Sequence, residues 1–243
     1  MIVIINKRVF RILIALILVI IIIAVGTIIY NKRSITPVTV NYNITNKPIE
    51  RGSSTNDYIA FTCNVDWGNE VIPEMLTVLK EKDTKITFFV TGRWVKAFPE
   101  VFQTIIEEGH EIGSHGYQHL DYSKLSLEEN KKQIQEAEDQ IMKYTNTKPT
   151  LFAPPSGAYN EYTLMAAEEL GYKTILWSID TIDWRQGSTK DLIVKRVIEK
   201  SNHNGAIVLM HPMPETAKAL PIIIKELEEQ NLKVGNVSDV LSD

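Results

Sequence analysis

Residues 58–90, YIAFTCNVDWGNEVIPEMLTVLKEKDTKITFFV, decide the fold. The stretch opens on a short run rich in apolar, aromatic and β-branched residues (58–65) and passes into a segment with apolar residues at three and four spacing (71–80). It closes on a second strand-like run (86–90). A strand, a helix and a strand in that order form a unit whose two strands lie parallel, with the helix covering one face.

The same alternation runs to the end of the chain. Further strands are expected at 111–114, 151–154, 173–177, 206–210 and 232–234, and helices at 99–108, 127–144, 161–170, 189–200 and 216–230. Ser126 with Glu129 has the spacing of a capping box, and Gly171 supplies a C-terminal stop. About seven parallel strands in roughly 190 residues predict an α/β fold, a deformed (β/α) barrel smaller than the eight-fold one, with a doubly wound open sheet as the alternative. No internal repeat is found.

Ahead of this domain, Lys7, Arg8 and Arg11 precede an uncharged stretch at 12–30. That is long enough as a helix to cross a hydrocarbon core of ~30 Å. The apolar run continues past Ala24-Val25-Gly26, the one place that imitates a cleavage site, so an anchor is favoured over a cleaved signal. Residues 32–57 are rich in Thr, Asn, Lys and Ser with Pro37 and Pro48, and read as a tether. The expected organisation is a cytoplasmic tip and anchor at 1–31, a linker at 32–57 and one folded domain at 58–243, held at the cell membrane by a single pass with the domain outside the cytoplasm. Lys32 and Arg33 nearly balance the leading positive charges, so charge asymmetry adds only a mild push to that orientation.

The only cysteine, Cys63, excludes an intrachain disulfide, and its place in a strand reads as a small buried apolar residue. With 26 basic and 30 acidic residues interspersed, a net charge of −4 leaves no electrostatic footprint for nucleic acid.

Chemistry-bearing residues gather at one kind of place. Asp66, His115 and His119, residues 154–157, residues 180–184 and His211 all fall at or just past the end of a predicted strand, where a parallel sheet builds its ligand sites. Two imidazoles four residues apart invite a metal, Asp66 offers a third hard ligand, and His211 a separate proton donor. Trp94, Trp177 and Trp184 include surfaces on which a sugar could stack, although aromatic residues at strand ends are more often core.

Over 58–243 the chain resembles the polysaccharide deacetylases with a NodB homology domain, carbohydrate esterase family 4. The resemblance rests on His115-Gly116-Tyr117-Gln118-His119, Ala153-Pro154-Pro155-Ser156-Gly157, Asp180-Thr181-Ile182-Asp183-Trp184 and Leu209-Met210-His211. It implies a metal-dependent hydrolase removing N-acetyl groups from cell-wall or other polysaccharide, peptidoglycan favoured. It also implies a divalent ion, zinc foremost with cobalt, nickel or manganese as alternatives, on Asp66, His115 and His119. In that reading His211 protonates the departing amine, Asp183 orients it, and the backbone N–H near Ser156 meets the oxyanion. Pro154, Trp184 and Leu209 complete the substrate wall.

The family's first motif is altered here. In Thr62-Cys63-Asn64-Val65-Asp66-Trp67-Gly68, one register puts Asn64 at the general base and Asp66 on the metal, while the other makes Asp66 the base and loses the ligand to Trp67. The first is preferred, since residues two apart in a strand point to one side. Ala153 stands where the family has the arginine that positions the base. Loss of both partners implies weak or lost activity, and the alternative is a non-catalytic glycan-binding or wall-associated protein on the same fold.

Overall fold

The computed structural model describes residues 7, 8, 16–23, 25, 27 and 47–242, which fall into two units, 1–43 and 44–243. In the first unit, residues 16–23 are helical with exposed apolar side chains. Among the described residues no helix is long and apolar enough to cross a membrane, and much of the expected anchor at 12–30 and of the linker lies outside them.

The second unit is a sheet of eight parallel strands. These are β1 (Tyr58–Val65), β2 (Thr87–Val90), β3 (Glu111–Ser114), β4 (Leu151–Phe152), β5 (Lys173–Thr174), β6 (Ile179–Asp180), β7 (Ile207–Met210) and β8 (Lys233–Gly235). Their order is β5-β4-β3-β2-β1-β7-β6, with β8 beside the start of β1. The helices between them are α1 (Ile72–Glu81), α2 (Gly92–Ala97), α3 (Pro99–Glu107), α4 (Leu127–Ile141), α5 (Glu161–Glu169), α6 (Lys190–Ile198), α7 (Pro214–Glu229) and α8 (Val237–Leu241). The parallel α/β architecture is the one that the β-then-α alternation implied, but the expected deformed barrel of about seven strands is an eight-stranded half-barrel whose end strands, β5 and β6, do not pair with each other. The strand expected at 173–177 shortens to β5, and β6 is an additional strand that was not expected, because a two-residue piece carries too little periodicity to be seen in sequence.

Spacing explains the packing. In α1, Ile72, Met75, Leu76 and Leu79 recur at three and four residues and are buried, facing the sheet. Along β1, Ile59, Phe61, Cys63 and Val65 enter the large apolar layer beneath the helices. Ala60 turns the other way into a smaller cluster with Phe89, Ala153, Ile175 and Ile207, and Asn64 lies two pleats above it on the same inner face. Burial pushes the Cys63 thiol up, with the nearby Asp183 adding to it, so Cys63 stays a protonated packing residue.

Residues 47–57, read as tether, lie against the domain. Ile49 bridges to Ile175 and Arg51 to Ala206, the Gly52 N–H donates to the Gly205 carbonyl at 2.7 Å, and Arg51 Nη1 donates to the Asn204 carbonyl at 2.8 Å. These are isolated backbone bridges without apolar periodicity, which pattern reading does not detect.

The capping box forms as expected. The Ser126 hydroxyl accepts from the Glu129 N–H while the Glu129 carboxylate accepts from the Ser126 N–H at 2.8 Å. Ser126→Ala should therefore cost about 1 kcal/mol of unfolding free energy, read as a lower urea midpoint at unchanged slope.

Candidate functional site

A cavity of about 380 Å³ opens beyond the carboxyl ends of the strands, lined by Asn64, Trp67, His115, His119, Ser156, Trp177, Asp180, Trp184, Leu209 and His211. Seven of the ten expected site residues meet there: Asn64, His115, His119, Ser156, Trp184, Leu209 and His211. Of the other three, Asp183 is buried behind His211 and Pro154 stiffens the loop beneath Ser156, its carbonyl accepting from the Gly157 N–H at 2.9 Å. Asp66 is the departure.

β1 ends at Val65, whose carbonyl accepts from the Thr91 N–H, and the chain then bends. The two-residue alternation that was to bring Asn64 and Asp66 to one side therefore stops between them. Asn64 faces the cavity, while the Asp66 carboxylate turns to α2. There Arg93 Nε donates to Oδ1 at 2.7 Å and Arg93 Nη2 to Oδ2, and the Thr91 hydroxyl donates to Oδ1 at 2.7 Å. Burial pushes this carboxyl up, but the hydrogen bonds from Arg93 and Thr91 outweigh it and hold it below the usual carboxylate range.

The expected metal set is thereby broken up. His115 Nδ1 donates to the Ala153 carbonyl at 2.6 Å, which leaves Nε2 with its lone pair, and the His115 and His119 rings meet edge to face at 5.3 Å. Burial first and the neighbouring His119 second push His115 down to about 3, so it is a neutral imidazole at physiological pH. Two histidines are thus suited to ligation, but the third ligand is already engaged by a cation. Among the described residues no group of three His, Cys, Asp or Glu side chains is arranged to hold a metal. As arranged, the residues present do not fit the three-ligand site, because Asp66 is the ion-pair partner of Arg93.

The opposite wall is well built. Asp183 Oδ1 accepts from His211 Nδ1 at 2.8 Å, and its Oδ2 accepts from the His211 backbone N–H and the Thr216 hydroxyl, both at 2.7 Å. With Nδ1 tied, Nε2 is the His211 nitrogen left for a ligand. Asp183 is aimed by a strained turn: Ile182 sits at φ 51°, rare for a β-branched residue. Its N–H donates to Asp180 Oδ1 at 2.7 Å, while its carbonyl accepts from the Ser188 hydroxyl at 2.6 Å and from Arg196, which also donates to the Thr181 carbonyl at 2.7 Å. Such over-determination is what keeps a left-handed residue in place. Ser156, at φ 57°, is the second such position on the cavity rim.

Trp67 stacks on the His211 ring at 5.7 Å and 13°. It is carried there by Gly68, whose φ of 78° and approach to the Pro212 carbonyl, 2.4 Å from where a Cβ would stand, admit no side chain. Asp180 and Trp67 lie in motifs that the sequence offers without a role of their own, whereas Arg93 and Arg196 are marked by no short motif, and only the fold brings them to the others. His110 and His203 lie outside the cavity, buried and bonded to backbone at Ile86 and Val197.

A family model described as polysaccharide deacetylase matches residues 51–175. Uncharacterized protein YlxY of Bacillus subtilis (strain 168) is 36% identical over 197 residues, 81% of this chain and 61% of that protein, so the chain spans less than two thirds of that relative. Peptidoglycan-N-acetylmuramic acid deacetylase PdaA of the same organism is 30% identical over 198 residues, 78% of this chain and 73% of that one. Among solved structures, BA3943, a CE4 family pseudoenzyme from Bacillus anthracis, superimposes with a TM-score of 0.79 at 40% identity, covering 82% of this chain and 70% of that chain. A BA3943 mutant described as having restored enzymatic activity gives 0.79 at 39%, covering 82% and 72%.

Asp183→Asn replaces one of two carboxylate oxygens by a donor facing three buried donors. It should lower stability by about 1–3 kcal/mol in chemical denaturation. An unchanged midpoint would show that the Asp183 cluster does not bind His211 in place.

Proposed function

Since this chain belongs to the polysaccharide deacetylase family, we propose that its cavity receives N-acetylated sugars of cell-wall glycan, peptidoglycan foremost, and that its removal of the acetyl group is weak or lost. The observation that carries the reading is the Asp183–His211 pair facing Asn64 across an aromatic cavity. On the His211 side, Asp183 fixes Nδ1, so Nε2 can hand a proton to the departing amine nitrogen. The Ser156 backbone N–H is the donor assigned to the oxygen that gains charge as the acetamide carbon becomes tetrahedral. Trp67, Trp177 and Trp184 offer faces for a sugar ring.

The Asn64 side lacks a base. A carboxamide cannot take up a proton as a carboxylate does, and the buried Ala153 offers only its carbonyl, already used by His115. Loss of a general base is worth roughly 10²–10⁴ in rate. No step is assigned to a metal, because the expected ligands are not assembled for one. A second reading, glycan binding without turnover, is favoured by Arg93 holding the Asp66 carboxylate.

Amine release from N-acetylated glycan oligomers by the full-length chain tests both, with binding measured by calorimetry. Turnover should be absent or roughly 10²–10⁴ below that of a complete relative. Asn64→Asp with Ala153→Arg, in a variant whose melting shows that it folds, should raise it by more than the product of the two single effects, as contacting residues commonly do. Binding without turnover in every variant selects the second reading, and neither binding nor turnover discards the glycan.

The same reading keeps residues 12–30 as a membrane anchor with the domain outside the cytoplasm, supported by the uncharged run alone. The chain should then stay in the membrane fraction after alkaline extraction. A soluble product beginning near Thr27 would replace the anchor with a cleaved signal.

A further inference from the structure

Both oxygens of Asp66 are occupied, and the side chain is only 7% exposed. The cation that occupies them is delivered by backbone. Arg93 lies in the first turn of α2, where the Gly92 N–H donates to the Gly116 carbonyl at 2.9 Å and the Arg93 N–H to the Tyr117 carbonyl at 3.0 Å. Those two carbonyls belong to the loop that carries His115 and His119. A Cβ on Gly92 would stand 2.6 Å from Tyr117 Cδ2 and 2.9 Å from Ala137 Cα, so α2 and the histidine loop touch without room for a side chain. The Thr91 hydroxyl, which caps α2 by accepting from the Trp94 N–H, is the third donor to the carboxylate. The guanidinium is thus tethered to the same loop as the imidazoles.

We propose that Arg93 is a built-in cation that occupies the Asp66 carboxylate in place of a divalent ion, making this chain a weak metal binder whose Asp66 fastens the end of β1 to α2. A planar guanidinium takes both carboxylate oxygens at once and stays charged at every physiological pH. A divalent ion recruiting Asp66 must therefore displace a preorganised fork and then sit beside the positive charge it displaced. His115 and His119 alone are left to it, and two neutral nitrogens make a poor site for an ion that prefers four ligands.

The inference is independent of the glycan reading, because its test involves neither sugar nor turnover. Zinc is titrated into the full-length apo chain and into Arg93→Gln by competition with a chromophoric chelator. Freeing Asp66 should tighten zinc binding on the order of tenfold, and adding Asp66→Asn to Arg93→Gln should remove the gain. Arg93→Lys, which keeps the charge and loses the fork, should gain less. Equal or weaker affinity in Arg93→Gln, or a gain that survives Asp66→Asn, overturns the proposal. If Arg93→Gln does not fold, wild type is compared with Asp66→Asn: a loss below about threefold is expected, and a larger one shows that Asp66 ligates the metal in the native chain.

Discussion

Side chains along β1 alternate between two environments, and the geometry of the cavity follows from that alternation. Ile59, Phe61, Cys63 and Val65 are fully buried beneath the helices, and each large apolar side chain placed there contributes roughly 1.5–3 kcal/mol. Moving the strand by one residue would turn all of them onto the inner face, which is packed around Ala60, Thr62 and Asn64, so the register is held by the core and not by the site. Pairing with β2, β7 and β8 fixes it from both edges. Asn64 reaches the cavity because it is the last inward position of a strand whose outward positions cannot move.

Two carboxylates near the cavity meet different fates for a physical reason. Asp183 follows a left-handed turn that aims it inward, where it collects three donors and supports His211. Asp66 follows the bend at the end of β1, where a guanidinium takes it. A buried carboxylate needs either hydrogen-bond donors or a counter-ion, and each of these has found one. The pair on the His211 side fixes an imidazole at the cavity wall, and the pair at α2 is a clasp.

The cavity between them is more neutral than the family pattern implies. Asn64 brings an amide where a base carboxylate is expected, and no protein group among the described residues donates to its buried Oδ1. Leaving such an acceptor unmet costs about 1–3 kcal/mol, which a ligand N–H would relieve. The Asn64 amide, together with Ala153, accords with a likeness to a CE4 family pseudoenzyme as well as to a peptidoglycan deacetylase.

Much was legible in the chain because it depends on local pattern. Apolar spacing located β1, α1 and most of their successors, Ser126 and Glu129 marked a helix start, and His115, His119 and His211, all at predicted strand ends, line one cavity. The pairing of Asp183 with His211 came from the likeness of short motifs to a known family. What the chain did not reveal lies in contacts between distant segments without a repeating signature: Arg93 on Asp66, Trp67 on His211, Arg196 on the 180–184 turn, and residues 47–57 on the domain. Asp66 shows the boundary most clearly. Strand alternation placed it beside Asn64, but alternation holds only while the strand lasts, and where β1 bends after Val65 the direction of a side chain is decided by whichever partner the tertiary fold brings within reach.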